Sequence, residues 1–208
     1  MKKWKKLLVI VLCLMMVQTP AVSFTQPQTV EAAAVKNGLK KEKGKYYFYE
    51  NGKRVTNTWK KVKRVKKGKT TMERYYFGAN GAAYAGKIVY GCYTPSIRKV
   101  GGKTYAFGYS GRMLKGPVVL NEKFYYMNKK TGVYDAAQTA KLRKAYGYEK
   151  NAAPLRNLLG KPRKIKTMDS CYGDGKDLML YYEHFILSVY KNKQGKEIIL
   201  GAIGLLAK

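Results

Sequence analysis

Four stretches decide how this chain folds: Tyr46-Tyr47-Phe48-Tyr49-Glu50-Asn51-Gly52, Tyr75-Tyr76-Phe77-Gly78-Ala79-Asn80-Gly81, Tyr105-Ala106-Phe107-Gly108-Tyr109-Ser110-Gly111 and Tyr126-Met127-Asn128-Lys129-Lys130-Thr131-Gly132. In each, a tyrosine stands six positions before a glycine, and the glycines follow one another at 29, 30 and 21 residues. A period of this size is the mark of stacked supersecondary units. The aromatic run suits a strand, because flat side chains pack on a pleated surface. Asn51-Gly52 and Asn80-Gly81 are strong hairpin-turn signals, since both central residues of such a turn take positive φ. Ser110-Gly111 and Thr131-Gly132 are weaker versions. A short return, such as Lys53 to Thr56, is expected after each turn. A lone hairpin is marginal in water, so the units must stack to bury their aromatics.

Outward from the repeats, the N-terminus reads as an export signal. Lys2, Lys3, Lys5 and Lys6 surround Trp4, Leu7 to Val17 are eleven apolar residues, and Val30-Glu31-Ala32-Ala33-Ala34 offers small residues to a peptidase. Eleven apolar residues are fewer than the roughly 20 a membrane-spanning helix needs. Residues 1–34 are therefore expected to be a signal peptide, and the protein to be secreted or held at the cell wall, with no membrane span after cleavage. Residues 35–208 suffice for one ordinary domain or two small ones.

The full chain carries 42 Lys+Arg against 12 Asp+Glu, a net charge of +30. Such a charge concerns partners and solubility rather than fold. For an exported protein the polyanions to hand are wall teichoic acids, anionic lipid headgroups and acidic glycans; nucleic acid is a less natural partner there. The densest run is Lys60-Lys61-Val62-Lys63-Arg64-Val65-Lys66-Lys67-Gly68-Lys69. Lys60, Lys61, Lys63, Arg64, Lys66, Lys67 and Lys69 form a candidate polyanion-binding surface. Lysines on a hairpin edge also block sheet-to-sheet pairing, and both readings stand together.

Gly44-Lys45-Tyr46-Tyr47-Phe48 and Arg74-Tyr75-Tyr76-Phe77 resemble the cell-wall-binding repeats of Gram-positive surface proteins, the group that includes choline-binding and glucan-binding repeats. The resemblance covers residues 38 to 135. It implies a left-handed solenoid of stacked hairpins holding ligands between aromatics of neighbouring turns, here Tyr46, Tyr47, Trp59, Tyr75, Tyr76 and Tyr105. The alternative for each aromatic is service in the solenoid core. The family's Gly-Trp at the end of a unit is replaced by Thr58-Trp59, Gly86-Lys87 and Gly116-Pro117, so only Trp59 survives of the tryptophans that cage a quaternary ammonium.

Residues 136–208 change character. Ala136 to Tyr146 reads as one helix and Asn151 to Leu159 as another, capped by Asn151, with Leu155, Leu158 and Leu159 on one face and Gly160-Lys161-Pro162 as its stop. Strands are expected over Leu178–Tyr182, Phe185–Tyr190 and Glu197–Leu206, turning at Glu183-His184 and at Asn192 to Gly195. The fold class expected is a β-hairpin repeat module, residues 35–135, followed by a small α+β domain of helices on a three- or four-stranded antiparallel sheet. Leu158 to Pro162, Asp169 to Asp177, and Tyr181, Tyr182 and Phe185 are loosely similar to outer-membrane-lipoprotein and β-lactamase-inhibitor-like folds, which implies contact with another exported protein.

Catalytic chemistry finds few parts. Cys171, His184 and Asp174 or Asp177 are the one constellation available for a thiol nucleophile. Asp169, Asp174 and Asp177 read better as a turn than as a calcium loop. Cys92 and Cys171 either pair as a disulfide or serve as two small buried residues. The reading is a non-catalytic wall-associated binding protein that needs no cofactor or metal; the alternative is a secreted inhibitor or adhesin acting through residues 136–208, with the repeats as tether.

Overall fold

The computed structural model describes residues 35–66 and 68–207. The expected signal segment 1–34 and Lys67 lie outside the described residues. Residues 35–208 form one compact unit.

The repeat region is a run of antiparallel hairpins. Strands β1 (Gly38–Glu42) and β2 (Lys45–Glu50) pair, with short β3 (Lys53–Arg54) on the far side of β2. Then follow β4 (Thr58–Lys66) with β5 (Lys69–Phe77), β6 (Lys87–Val89) with β7 (Cys92–Thr94), β8 (Ser96–Val100) with β9 (Lys103–Phe107), and β10 (Gly116–Leu120) with β11 (Lys123–Met127).

This corrects the expected hairpin frame. The Asn51-Gly52 turn does form, both residues at positive φ of 48° and 79°. Only there does a paired return strand follow. In the later units the return is a single bridge, Phe77 with Ala83, Phe107 with Met113 and Met127 with Tyr134. The long hairpins use the aromatic run as their second arm and turn at less conspicuous pairs such as Lys43-Gly44 (φ 46° and 78°). Two positive φ angles are all such a turn requires, and Asn-Gly is only the commonest way to supply them.

The short returns stitch the units together. Ala83 N–H donates to Tyr46 O, Met113 N–H to Arg74 O and Tyr134 N–H to Thr104 O, each at 2.8 Å. In the same returns, Tyr84, Leu114 and Asp135 donate to Tyr76, Ala106 and Tyr126 of their own aromatic strand. Each return therefore lies between its own strand and the one before it. Backbone groups that a lone hairpin would leave to water are satisfied by the neighbouring unit.

Asp135 ends the last return and starts the helical layer, its Oδ1 accepting from Gln138 N–H at 2.9 Å as the cap of α1 (Ala136–Ala145). Asn151 caps α2 (Ala152–Leu159) in the same way. The sheet runs β12 (Lys164–Asp169), β13 (Lys176–Tyr181), β14 (Phe185–Lys191) and β15 (Glu197–Gly204) in that order, all antiparallel. β12 is not among the strands expected from the sequence; all six of its residues are exposed, so it carries no run of core residues to mark it. The largest core joins Val119 and Phe124 of the last hairpin to Leu142, Leu155, Leu180, Phe185 and Ile199. Beyond β15 the chain continues along the third hairpin, with Tyr93 N–H donating to Leu205 O at 2.8 Å and Ala207 N–H to Gly91 O at 2.7 Å.

Candidate functional site: a basic ribbon over a two-lobed cleft

β4 and β5 pair without a slip from Thr58 opposite Phe77 to Lys66 opposite Lys69. Successive residues of a strand point to opposite sides. One side at the base carries Tyr75 and Phe77 into the core, while the other carries Trp59 and Tyr76. From Lys63 outward the described residues of β4 are exposed, as are Lys69 to Met72 of β5, so the pair forms a projecting ribbon. Lys61 stands directly opposite Arg74, and Lys66 directly opposite Lys69. Like charges in facing positions destabilise a strand pair. Lys60 pairs with Glu50 at 2.7 Å and Arg64 with Glu73 at 3.4 Å; Lys61, Lys63, Lys66, Lys69 and Arg74 have no acid partner among the described residues.

Beneath the ribbon lies a cleft with two lobes of about 890 Å³ and about 600 Å³ that share Glu73, Arg112, Arg163, Glu183 and His184. The seam is a chain of alternating charges. Glu73, buried at 9% exposure, accepts from Arg112 Nη1 at 3.0 Å, from Arg64 Nη1 at 3.4 Å and from Tyr75 Oη at 3.2 Å. Arg112 Nη2 also lies 3.9 Å from Glu183, which pairs in turn with Arg163. Burial pushes the Glu73 carboxyl up, but the hydrogen bond and charge of Arg112, with Arg64 and Tyr75, outweigh it and hold the group below its ordinary range. Burial, with the charge of Glu73 beside it, pushes the Tyr75 hydroxyl up to about 12. The His184 ring is pushed down to about 4 by burial, with Arg112 and Arg163 adding to it, against the pull of the Lys115 carbonyl. His184 Nε2 lies 3.0 Å from Lys115 O. A carbonyl can only accept, so Nε2 carries the proton of the neutral ring.

The larger lobe brings together Lys61, Lys115, Lys129 and Lys161 over Leu114, Pro117 and Leu159. Its smaller neighbour sets Arg64, Lys66 and Lys69 of the ribbon against Tyr93 and Tyr109, whose ring centres are 5.2 Å apart and inclined at 35°.

The aromatics singled out in the sequence do not form one cleft. Tyr75 and Tyr105 are buried at 2% and 8% exposure and serve the core, because strand alternation turns them inward. Tyr46, Tyr47, Trp59 and Tyr76 are half-buried. The chain's own cations cover several of their faces: Arg54 lies 4.1 Å over Tyr47, Arg74 lies 4.5 Å over Trp59, and Lys41 lies 5.7 Å over Tyr46. Tyr105 closes on Trp59 with ring centres 4.9 Å apart. Tyr93, Tyr109, Arg112 and Arg163 were not legible as site residues. Tyr109 and Arg112 flank the third turn, and nothing local distinguishes them from turn residues.

Cys92 is a half-buried free thiol and Cys171 an exposed one, so the structure does not join them. Cys171 lines neither lobe, whereas His184 lines both. The acids near Cys171 have partners of their own: Asp177 accepts from Ser170 Oγ at 2.7 Å, Asp174 pairs with Lys193 at 3.0 Å, and Asp169 pairs with Lys176. Among the described residues no group of three His, Cys, Asp or Glu is placed to hold a metal ion, and no helix is long and apolar enough to cross a membrane.

The architecture defined by these elements is a stacked β-hairpin repeat module carrying a small α+β layer. The solved structures it is similar to include choline-binding proteins. Choline binding protein F from Streptococcus pneumoniae, solved in complex with ipratropium, matches at 17% identity and a TM-score of 0.37, over 78% of this chain and 53% of that one. The multimodular pneumococcal cell wall endolysin from phage Cp-1, complexed with choline, matches at 16% identity and a TM-score of 0.35, over 77% of this chain and 36% of that one. Truncated alternansucrase from Leuconostoc mesenteroides matches at 16% identity and a TM-score of 0.33, over 74% of this chain and 11% of that one. The chain thus spans about half or less of the length of each. No family model matches the chain, and no curated protein does.

Proposed function

We propose that this chain is an exported, non-catalytic protein of the cell wall or surface, and that its repeat module docks on an anionic wall polymer, a teichoic acid or an acidic glycan. The observation that carries the reading is the ribbon. It sets Lys61 against Arg74 and Lys66 against Lys69, with no acid partner for either pair among the described residues. A polyanion laid along the ribbon removes that repulsion, and the rest of the strongly positive chain adds long-range attraction.

The test is sedimentation of residues 35–208 with purified cell walls, with and without teichoic acid, across a salt series. Retention that falls with salt and with removal of the polymer supports docking on a polyanion. Replacing Lys61, Lys63, Lys66 and Lys69 together by glutamine then releases the protein. Salt-resistant retention on stripped walls would instead assign binding to a neutral glycan.

A second reading rests on β12, the sheet edge whose six residues are exposed and whose side away from β13 has no strand paired to it among the described residues. There residues 136–208 engage another exported protein by strand addition, as an inhibitor or adhesin would. The core shared by Phe124 and Leu142 argues against repeats that serve as a tether alone. In this reading Ile165→Lys and Met168→Lys abolish partner capture and leave wall retention intact.

A further inference from the structure

The smaller lobe of the cleft has two walls of different chemistry. We propose that it is a subsite for an acidic sugar, a pyranose ring bearing a phosphate or a carboxylate. This deepens the wall-binding reading and rests on it only for the source of the sugar.

The cationic wall is set by strand register. Arg64 and Lys66 lie on the same side of the ribbon as Lys69 and Glu73, because Arg64 faces Thr71, Lys66 faces Lys69 and Val62 faces Glu73. Arg64 is engaged by Glu73, so the unneutralised charge of this wall sits on the facing pair Lys66 and Lys69. One anion between the two ammonium groups turns a repulsive pair into two attractive contacts.

The opposite wall is Tyr93 and Tyr109. Tyr109 is 43% exposed, and the 35° tilt between the rings opens a wedge rather than a flat platform. Tyrosine rings pack against the C–H faces of a sugar, and their hydroxyls hydrogen-bond its substituents. Tyr93 is held from behind by the C-terminal segment through the bond from its N–H to Leu205 O. A fixed wall spares the ligand the cost of ordering it. At the shared end of the cleft, Glu183 offers a carboxylate to sugar hydroxyls. Glu73 and Glu183 are paired there with Arg64, Arg112 and Arg163, so the seam is not a negative end. Cations beside aromatics also suit a nucleic acid, and oligo(dT) is the probe that separates the two. A volume of about 600 Å³ falls in the range of small-ligand sites.

The experiment is titration calorimetry of residues 35–208 with five probes at one fixed salt concentration. Trigalacturonate and a phosphorylated maltotriose carry ring and charge, the first as carboxylate and the second as phosphate. Maltotriose carries the ring alone, poly(glycerol phosphate) the charge alone, and oligo(dT) a base with charge. The expected result is that one or both acidic sugars bind about tenfold or more tightly than maltotriose. Tyr109→Ala and the double change Lys66→Gln and Lys69→Gln should each weaken that binding about tenfold. Tyr109→Phe should keep most of it, which separates lost stacking from a disturbed fold. Tyr109→Ala should leave poly(glycerol phosphate) binding within about twofold, because no ring is there to stack. Acidic sugar binding unaffected by Tyr109→Ala would overturn the subsite, as would tighter binding of oligo(dT). If poly(glycerol phosphate) and cell walls fail to bind while the acidic sugars do, the subsite stands and the wall-polymer reading falls.

Discussion

Glu73 and Arg112 are 39 residues apart in the chain and 3.0 Å apart in the fold, a buried carboxylate held by a guanidinium from the next repeat unit. The contact joins β5 to the third turn, and through Arg112 and Glu183 it reaches the turn between β13 and β14. The seam of the cleft is therefore also a fastening between repeats and sheet.

Replacing Glu73 with glutamine leaves Arg112 and Arg64 without their anion in a partly buried place. The guanidinium groups left behind reach water, so the cost falls below that of a fully buried pair, at about 1–3 kcal/mol. Urea denaturation of Glu73→Gln should show a loss of that order, with the slope of the transition unchanged. A loss below about 1 kcal/mol would mean the seam contributes little.

Acid should act in two windows. His184 has its pKa lowered from 6.5 to about 4, so between those values the unfolded chain takes up a proton that the folded chain refuses, and stability falls as pH falls. The Glu42 carboxyl is lowered from 4.5 to about 2 by its hydrogen bonds from Lys36 and Tyr49. Its contribution is present above 4.5 and is lost as pH falls toward 2. Denaturation midpoints measured across pH should decline in both windows, and His184→Gln should flatten the first while leaving the second.

Trp59 is the only tryptophan outside the expected signal segment, the other being Trp4, so its emission reports one ring. Arg74 over that ring occupies the place an external cation would take. Choline should leave Trp59 emission unchanged in the natural chain and perturb it in Arg74→Ala. A response of the natural chain to choline at low concentration would show that Arg74 gives way.

Gly204 lies where any side chain would meet the backbone of the third hairpin: an added Cβ would stand 2.2 Å from Tyr93 O. Gly204→Ala should part the C-terminal segment from that hairpin and cost about 1–3 kcal/mol. Cys92, which bridges Leu206, should then react faster with a thiol reagent, while exposed Cys171 keeps its rate. Equal, fast labelling of both cysteines in the natural chain would show that the segment is not docked.

Leu142 of α1 and Phe124 of β11 share one core, so Leu142→Ala should lose about 2–5 kcal/mol and lower the transition seen at Trp59 as much as that seen by far-ultraviolet dichroism. Two separate transitions would show that residues 35–135 and 136–208 fold independently.

Much of the local structure was legible because its signals are local. The Tyr-to-Gly spacing marked the units, Asn151 and Gly160 bounded α2, and the alternation of Phe185, Leu187 and Val189 marked a buried strand. Hairpin frame was not legible, because Lys43-Gly44 carries a weaker signal than Asn51-Gly52 and makes the longer ladder. Nor was the inward side of each aromatic run. In Tyr75-Tyr76-Phe77 every position is aromatic, so no alternation shows which ring is buried, and a register shift of one residue would exchange them.

The sequence by itself determined that this protein is strongly basic and built of repeating aromatic hairpins ahead of a helix-and-sheet segment, since charge, period and caps are properties of neighbouring residues. Only the tertiary structure decided that Tyr75 and Tyr105 belong to the core, that Arg74 covers Trp59, and that Arg64, Lys66 and Lys69 face Tyr93 and Tyr109 across one lobe. Those residues come from different hairpins, and their meeting depends on strand register and on how each return bonds to the unit before it, which no short window of sequence contains.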